Sequence, residues 1–315
     1  MNLSPLLAIL GPTASGKSDL ALYLASRLDG EIVNCDSIQV YRHFDIGAAK
    51  TPIEERRGIP HHLVDIVEPE AVFTAGDYMK RARGVLAEIA GRGRLPIVVG
   101  GTGFYYSALM YGLFEGPDRD PWLRERLLAR EKKRAGALHN ILRRLDAESA
   151  ARIHRNDVNK TIRALEVRCL AGRPLSRMFL EGRDTLAGFR VISVGLNPPR
   201  DVLYSRIDQR LAKMFVDGLL DEVSAILASG VSPMAKPFES LGYKQALAVV
   251  RGELETDAAI RAAQLETRHY AKRQMTWFRR EAGVAWFAGF GDCPEVQFEV
   301  FEFAQKSLEL FQNGQ

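Results

Sequence analysis

The sequence predicts an α/β fold in which a parallel sheet is flanked by helices and carries an inserted, all-helical basic domain. Short apolar runs alternate with helical patterns over the first hundred residues, and a glycine-rich loop joins the first strand to the first helix. Strand patterns then vanish between residues 116 and 185. We therefore expect a core domain made of residues 1–115 and 186–315, interrupted by an insertion at 116–185.

The individual elements follow from apolar runs and the polar residues between them. Strands are predicted over 6–10, 31–35, 63–67, 95–99 and 189–196. Helices are predicted in the core over 16–28, 76–90, 201–229, 242–250 and 256–281, with a terminal amphipathic helix after residue 293. Helices in the insertion are predicted over 122–134, 137–145, 147–153 and 157–170.

Composition excludes several classes of protein. The chain has 315 residues, of which 46% are hydrophobic and 26% charged, so it is neither a disordered acidic chain nor a rod. No apolar run approaches the ~20 residues that a membrane helix needs, and the N-terminus lacks the pattern of a signal peptide. The three cysteines are far apart in the sequence, which favours a reducing compartment and disfavours a disulfide framework or a zinc site. We expect a cytoplasmic protein with no membrane partner.

The net charge of +4 is the sum of a basic part and a slightly acidic part of the chain. Residues 116–185 hold 17 Lys and Arg against 10 Asp and Glu, whereas the rest of the chain holds 26 against 29. A basic block of this size is either a surface for a polyanion or a set of solvated helices with extra arginines. Charge alone leaves both interpretations open.

The loop Gly11-Pro-Thr-Ala-Ser-Gly-Lys-Ser18 matches the phosphate-binding P-loop and lies between a strand and a helix, as that mechanism requires. Its residues Gly11, Thr13, Ala14, Ser15, Gly16, Lys17 and Ser18 form the predicted phosphate site. Backbone N–H groups and the helix N-terminus attract an anion, Lys17 adds a charge, and Ser18 can ligate Mg²⁺. The fold is therefore P-loop NTPase-like, although the loop would accept any di- or triphosphate.

Polar residues follow the predicted strands at the edge where ligands bind in such sheets. Asp36 ends the second strand, where it could be a magnesium ligand, a general base or a cap on the next segment. Thr102 follows Gly100 and Gly101 after the 95–99 strand, and the glycines allow either a close approach of backbone to ligand or a plain turn. Asp65 competes with Asp36 for the metal role.

Two further motifs favour structural roles. His61 and His62 are neighbours in a predicted strand region and point to opposite faces, so we expect a structural role rather than a zinc site. Thr74 and Asp77 fit a helix capping box.

Seven motifs in order resemble the bacterial tRNA dimethylallyltransferase family over about residues 6–286. They are Gly11–Ser18, Asp36-Ser-Ile-Gln-Val-Tyr41, Asp45-Ile-Gly47, His61-His-Leu-Val-Asp65, Val99-Gly-Gly-Thr102, Arg163-Ala-Leu-Glu-Val167 and Leu241-Gly-Tyr-Lys244. The P-loop alone is shared with many proteins, whereas the ordered set is specific.

The resemblance implies transfer of a dimethylallyl group from dimethylallyl diphosphate to N6 of the adenosine 3′ of the anticodon in tRNA. It implies that the P-loop holds the donor's diphosphate, with Mg²⁺ on Ser18, and that Arg210 neutralises the same group. Asp36 would be the general base, and Thr102 would act at the channel beside the tRNA. The partners would be the anticodon stem-loop and dimethylallyl diphosphate, and the protein would be a monomer.

The resemblance also implies a set of tRNA contacts spread over the whole chain. Besides Asp36 and Thr102 they are Ser37, Ile38, Gln39, Arg124, Asn159, Lys160, Thr161, Ile162, Arg163, Leu241, Gly242, Tyr243, Lys244, Lys272, Arg273, Gln274, Trp277 and Arg279. Trp277, Tyr243 and Tyr105 could be stacking platforms for bases or ordinary core residues.

The sequence departs from the family pattern at a few places. Ala48 stands where relatives often carry a hydroxyl, Val158, Asn159 and Lys160 replace a common Pro-Gln-Arg, and Glu239 occupies a position that is basic in some relatives. RNA contacts at these positions are therefore expected to differ in detail.

Two other functions compete with prenyl transfer. A small-molecule kinase would use Asp36 as base or metal ligand and the basic insertion as a lid over ATP, and it would ignore tRNA. A non-catalytic RNA-binding module would use the P-loop as a nucleotide sensor, and its RNA binding would survive Asp36→Ala.

Overall fold

The computed structural model describes residues 3–114, 116–180 and 184–312. The chain divides into two compact units, one formed by Met1–Leu109 with Leu186–Gln315 and the other by Met110–Thr185. The predicted insertion begins at 116, at the polar Gly116-Pro117 break in the sequence pattern. The structural division falls earlier, within a helix that the sequence pattern does not reveal.

Within the described residues, six parallel strands form one sheet in the first unit. They are β1 (Ser4–Leu10), β2 (Gly30–Asn34), β3 (His61–His62), β4 (Leu95–Val99), β5 (Phe189–Leu196) and β6 (Val284–Phe287). Their order is β3-β2-β4-β1-β5-β6, so β1 lies between β4 and β5. The carboxyl ends of β1, β2 and β4 therefore meet at one edge, where ligands bind in open parallel sheets.

The helices, in chain order, are α1 (Lys17–Arg27), α2 (Ala75–Gly91), α3 (Gly103–Tyr111), α4 (Pro121–Lys133), α5 (Ala137–Leu145), α6 (Ala147–Arg152), α7 (Val158–Ala171), α8 (Leu175–Leu180), α9 (Arg200–Val216), α10 (Leu219–Ala228), α11 (Tyr243–Val250), α12 (Thr256–Phe278) and α13 (Pro294–Gln312). Short 3₁₀ segments cover Ile53–Arg56 and Lys236–Glu239. Helices α4 to α8 belong to the second unit.

Each unit has its own core. In the first unit, sheet residues such as Ile9 and Ile97 pack with α1 and α13, and a second cluster around Phe44 and Tyr243 joins the loop after β2 to α9, α10 and α11. In the second unit, Leu142 and Leu165 are among the buried residues that hold α5, α7 and their neighbours together. Burial of these side chains is the main force that holds the two units folded.

The sequence pattern predicts β4 and β5 correctly, and α1, α2, α4 to α7 and α11 to α13 lie close to their predicted positions. The long helix predicted over 201–229 is wrong, because the chain breaks at Gly218, whose φ of 105° no continuous helix adopts. The strand predicted at 63–67 is also wrong. Leu63 and Asp65 have positive φ, so the chain turns there and β3 ends at His62.

The capping box at the start of α2 is confirmed: the Thr74 hydroxyl accepts from the Asp77 amide, and the Asp77 carboxylate accepts from the Thr74 amide at 2.9 Å. His62 hydrogen-bonds Glu31 and His61 hydrogen-bonds the Ile59 carbonyl, which agrees with structural roles for both rings. No helix in the described ranges is long and apolar enough to span a bilayer.

Candidate active site

The P-loop follows β1 and is held in shape by backbone constraints. Gly16 has a φ of 81°, and a Cβ there would collide with the backbone of Gly291 and Asp292. The Gly291 amide donates to the Ser15 carbonyl at 2.9 Å, so a loop from the far end of the chain supports the P-loop. Helix α1 begins at Lys17, which places its N-terminal amides beside the loop.

The loop Phe290–Asp292 is a part of the site that sequence reasoning missed. Arg206 donates to both carboxylate oxygens of Asp292 at 2.8 Å, and its guanidinium carbon lies 3.8 Å from the centroid of the Phe290 ring. The contact joins α9 to the loop under Gly16. No local pattern signals it, because the two partners are 86 residues apart.

Two cations lie at the P-loop. The Lys17 ammonium donates to the Pro12 carbonyl at 2.6 Å, and the Arg210 guanidinium donates to the Thr13 hydroxyl. Burial is the main cause that lowers the pKa of Lys17 to about 7, and Arg210 lowers it further while Asp36 acts in the opposite direction. Burial also lowers the pKa of Arg210. Two partly buried cations close together are electrostatically unfavourable until an anion joins them.

Buried polar atoms without a partner lie at the same place. Among the described residues, the Ser15 hydroxyl and Arg210 Nε are buried and make no hydrogen bond. Such groups destabilise a protein unless a ligand or water satisfies them. Together with Lys17 and the helix N-terminus, they form a site suited to a di- or triphosphate.

Asp36 lies just beyond the end of β2. Its Oδ1 accepts from the amides of Ile38 at 2.8 Å and Gln39 at 3.4 Å, and its own amide donates to Asn34 Oδ1 at 2.9 Å. Of the three roles left open by the sequence, capping is thus fulfilled by one carboxylate oxygen. Asp36 also lines the same cavity as the P-loop, so a role in chemistry or metal binding remains available to the carboxylate.

Thr102 supports the loop that follows Asp36. The Thr102 hydroxyl accepts from the Ser37 amide at 3.1 Å and lies 3.3 Å from the Ser37 hydroxyl. A Cβ at Gly100 would overlap the Cys35 carbonyl, so the backbone after β4 approaches the end of β2 as closely as glycine allows. Ser37 lines the cavity, whereas Thr102 does not.

Gln274 of α12 joins the P-loop to the loop after β4. Its Oε1 accepts from the Thr13 amide at 2.8 Å, and its Nε2 donates to the Gly101 carbonyl at 2.8 Å. Gln274 is 5% exposed, and a Cβ at Gly101 would overlap Nε2. Gln274 is thus committed to two backbone groups, which differs from the direct RNA contact that the resemblance implies.

The motifs Asp45-Ile-Gly47 and Leu241-Gly-Tyr-Lys244 contact each other. A Cβ at Gly47 would lie 2.6 Å from the Tyr243 ring, and Tyr243 is fully buried. The Tyr243 hydroxyl donates to Glu222, whose carboxylate also accepts from the amides of Asp45 at 3.0 Å and Ile46 at 2.8 Å. The two motifs therefore fix the loop that carries Gln39, whose side-chain Nε2 donates to the Ala48 carbonyl at 3.0 Å.

A single cavity of about 890 Å³ contains most of these groups. Among the predicted site residues it is lined by Thr13, Ala14, Ser15, Gly16, Lys17, Ser18, Asp36, Ser37, Ile38, Gln39, Arg210, Leu241, Arg273 and Gln274. The P-loop and its cations share this space with Asp36, so phosphate-binding groups and a carboxylate face one ligand space. Gly11 is buried behind the lining.

The predicted RNA contacts separate by exposure. The exposed members are Asn159, Lys160, Lys244, Lys272, Arg273, Trp277 and Arg279. Thr161, Ile162 and Tyr243 are buried, so their side chains pack inside the protein and present no surface to RNA. Gly242 is buried and has no side chain, and Gln274 is buried but lines the cavity. Trp277 is 40% exposed and packs against Gly103, whereas Tyr105 is 6% exposed and stacks on Tyr78.

In the second unit, Arg124 and Arg163 are both committed to Glu166. Arg124 donates to the two carboxylate oxygens at 2.7 and 3.0 Å, and Arg163 donates at 2.8 Å. Burial would raise the pKa of Glu166, but the hydrogen bonds from Arg124 and Arg163 outweigh it and lower that pKa. These arginines hold α4 against α7, a structural role that the sequence does not suggest.

Comparison with known proteins assigns the family. The model for IPP transferase matches residues 39–281. The chain belongs to the IPP transferase family. It is 60% identical over 304 residues to a protein of Solibacter usitatus named tRNA dimethylallyltransferase, covering 96% of this chain and 99% of that one. A protein of the same name from Koribacter versatilis is 52% identical over 96% of this chain and 98% of its own.

Solved structures of related proteins support the assignment of this chain to the IPP transferase family, and they share its fold. The tRNA isopentenylpyrophosphate transferase of Bacillus halodurans superposes with a TM-score of 0.73 at 37% identity, covering 98% of both chains. A eukaryotic dimethylallyltransferase described as acting on tRNA gives a TM-score of 0.80 at 26% identity, covering 98% of this chain and 80% of that one. The P-loop-like parallel sheet predicted from the sequence is confirmed.

Proposed function

We propose that this protein transfers a dimethylallyl group from dimethylallyl diphosphate to N6 of the adenosine immediately 3′ of the anticodon in tRNA, releasing diphosphate. The observation that carries the proposal is the single cavity in which the P-loop cations and Asp36 face one ligand space. The names of the relatives, which identify them as tRNA dimethylallyltransferases, support the donor and the acceptor.

The bond changes match the residues in the cavity. The adenine N6 forms a bond to C1 of the prenyl group while the bond between C1 and the diphosphate oxygen breaks, and the electron pair leaves with the diphosphate. Because an exocyclic adenine amine is a weak nucleophile, loss of its proton to the Asp36 carboxylate assists the attack. The target base must leave its stack to reach the cavity.

The P-loop and its two cations stabilise the departing diphosphate. Lys17, Arg210 and the loop amides supply positive charge before the reaction starts, and so little reorganisation is needed as negative charge develops. The unpartnered Ser15 hydroxyl and Arg210 Nε are donors that the diphosphate oxygens would satisfy. Thr102 acts one step away, because it holds the Ser37 amide next to Asp36.

The residues present fit a magnesium ion held mainly by the ligand. Ser18 is exposed and lines the cavity, and no cluster of three or more His, Cys, Asp or Glu suited to a metal occurs in the described parts of the chain. Mg²⁺ typically takes one or two protein oxygens together with phosphate oxygens and water. When bound, it would neutralise charge on the diphosphate, with Ser18 as its protein ligand.

In this proposal each unit supplies RNA contacts of its own. Asn159 and Lys160 contribute from α7, and Lys244, Lys272, Arg273, Trp277 and Arg279 contribute from α11, α12 and the residue that follows it. We take the basic unit Met110–Thr185 as a tRNA-binding domain, and expect a monomer that works in the cytoplasm, where tRNA is found.

The test is incorporation of labelled dimethylallyl diphosphate into an unmodified anticodon stem-loop, with the product nucleoside identified by mass spectrometry. We expect label on one adenosine, only when Mg²⁺ is present, and none when the adenosine 3′ of the anticodon is replaced by guanosine. No label in any adenosine-containing stem-loop would contradict the proposal. ATP consumption that depends on a small molecule and ignores tRNA would favour a kinase instead.

A further inference from the structure

The outward face of α4 carries an exposed aromatic residue followed by a row of cations. Trp122 is 64% exposed, and Arg126, Arg130 and Lys133 are also exposed. Because these positions are separated by four, four and three residues, they lie on one side of the helix. The opposite side, which includes Leu127 and Glu131, is half-buried against the rest of the second unit.

Contacts within the second unit hold this face outward. Asp120 caps α4 by accepting from the Leu123 amide at 2.9 Å, and its own amide donates to buried Glu166 at 2.9 Å. Arg124 binds the same carboxylate, while Glu131 accepts from the Leu138 amide at 2.9 Å. The helix is therefore anchored along its inner side, and the orientation of Trp122 follows from that anchoring.

The Trp122 ring is oriented by a neighbouring cation and remains accessible to a planar ligand. The Arg126 guanidinium carbon lies 4.4 Å from the centroid of the indole ring, which is a cation–π contact. A guanidinium covers one face of a ring, and the 64% exposure of Trp122 shows that much of the ring remains accessible to solvent. Exposed indoles of this kind on a basic surface are sites where nucleic-acid bases stack.

We infer that the face of α4 formed by Trp122, Arg126, Arg130 and Lys133 binds tRNA, with an unpaired base stacked on Trp122 and the cations on neighbouring phosphates. The charge of the face selects a polyanion over an apolar protein partner, since three cations follow the one aromatic residue. The surface differs from the predicted contact at Arg124, which is committed to Glu166. This inference rests on the proposed function, because it takes tRNA as the polyanion.

The test measures binding of an anticodon stem-loop RNA to the full chain without prenyl donor, for wild type, Trp122→Ala, Trp122→Phe and Leu128→Ala. Leu128 is the matched control, because it is 40% exposed on the same helix but lies away from the cationic row. We expect Trp122→Ala to weaken binding at least about five-fold, the lower end of the loss from removing a stacked base. Trp122→Phe is expected to retain most of the affinity, and Leu128→Ala all of it.

Salt dependence separates stacking from charge. Trp122→Ala should leave the slope of log affinity against log salt unchanged, whereas the triple variant Arg126→Ala, Arg130→Ala, Lys133→Ala should lower it by about 0.7–0.9 for each phosphate that is no longer neutralised. Trp122 and the cations are exposed, so unchanged thermal unfolding is expected and shows that the variants fold.

Two results would overturn the inference. Equal affinity of Trp122→Ala and wild type would exclude stacking on Trp122, even if the cations matter. An unchanged salt slope in the triple variant would exclude α4 as a phosphate-binding face. Failure of the proposed reaction looks different, because wild-type protein would then bind the RNA and respond to these substitutions while forming no prenylated product.

Discussion

Replacing Gln274 by Leu removes the hydrogen bonds that join the P-loop to the loop after β4 while keeping the volume of the side chain. The bond from Nε2 to the Gly101 carbonyl is buried, and the bond from the Thr13 amide to Oε1 is partly buried. In the variant the Gly101 carbonyl keeps only a long hydrogen bond from the Tyr270 hydroxyl at 3.5 Å. Loss of the buried bond therefore costs about 1–3 kcal/mol, and loss of the partly buried bond about 1 kcal/mol. We therefore expect the free energy of unfolding to fall by about 2–4 kcal/mol.

The functional effect of Gln274→Leu should appear in the binding of the prenyl donor. Thr13 also accepts from Arg210, so movement of Thr13 displaces a cation of the diphosphate site. The affinity for dimethylallyl diphosphate should fall in Gln274→Leu, while affinity for the stem-loop RNA changes little because Gln274 is buried. Urea unfolding measures the first effect, and calorimetric titration with donor and with RNA measures the second.

Gln264→Leu is the matched control for this experiment. Gln264 lies on the same helix and donates one hydrogen bond, to the Asp208 carbonyl at 3.0 Å, so its loss should cost about 1 kcal/mol. The reasoning is refuted if Gln274→Leu destabilises the protein no more than Gln264→Leu and binds the donor as tightly as wild type. It is also refuted if Gln274→Leu weakens RNA binding and leaves donor binding intact.

Three further predictions concern the charges of Lys17 and Glu166. The pKa of Lys17 is lowered to about 7, and a bound diphosphate raises it, so donor binding at about pH 8.5 should be coupled to the uptake of close to one proton. Calorimetry in buffers of different ionisation enthalpy measures this uptake. Proton uptake that persists in Lys17→Met would contradict the prediction. Unfolding likewise takes up a proton between pH 7 and the ordinary pKa of 10.5, so the free energy of unfolding should rise with pH across that window, and the rise should be smaller in Lys17→Met. Glu166→Ala should lower the free energy of unfolding by about 3 kcal/mol, since it removes the buried carboxylate that both arginines bind, whereas removal of the exposed Glu148 should cost under about 0.5 kcal/mol. Equal losses in urea unfolding would show that the Glu166 network contributes no more than a surface pair.

Local patterns predicted the parts of the fold that local chemistry determines. A continuous apolar run marked β4, a mostly apolar strand pattern marked β5, and the glycine, lysine and serine spacing marked the P-loop. The four-residue strand β6 was missed, because Val284-Ala-Trp-Phe287 is too short to show a pattern. The break at Gly218 was missed because apolar residues continue at helical spacing on both sides of it.

The candidate site was predictable where its residues follow strands and not where distant residues meet. Asp36 could be placed from its position after β2, but the bond between Gln274 and Thr13 joins residues 261 apart. Charged residues posed a second difficulty. The family resemblance implies RNA contacts for Arg124 and Arg163, and only the structure reveals the buried Glu166 that both arginines bind.

The central claim is that Asp36 removes the proton from the acceptor amine in the cavity that holds the diphosphate. The most direct test is the single-turnover rate of prenyl transfer in Asp36→Asn at saturating donor and RNA, with RNA affinity measured separately. Asparagine keeps an oxygen to accept from the Ile38 amide, so the loop and RNA binding should persist. We predict a loss in rate of about 100-fold or more with RNA affinity within about three-fold of wild type. A rate close to that of wild type, or equal losses in rate and affinity, would contradict the claim.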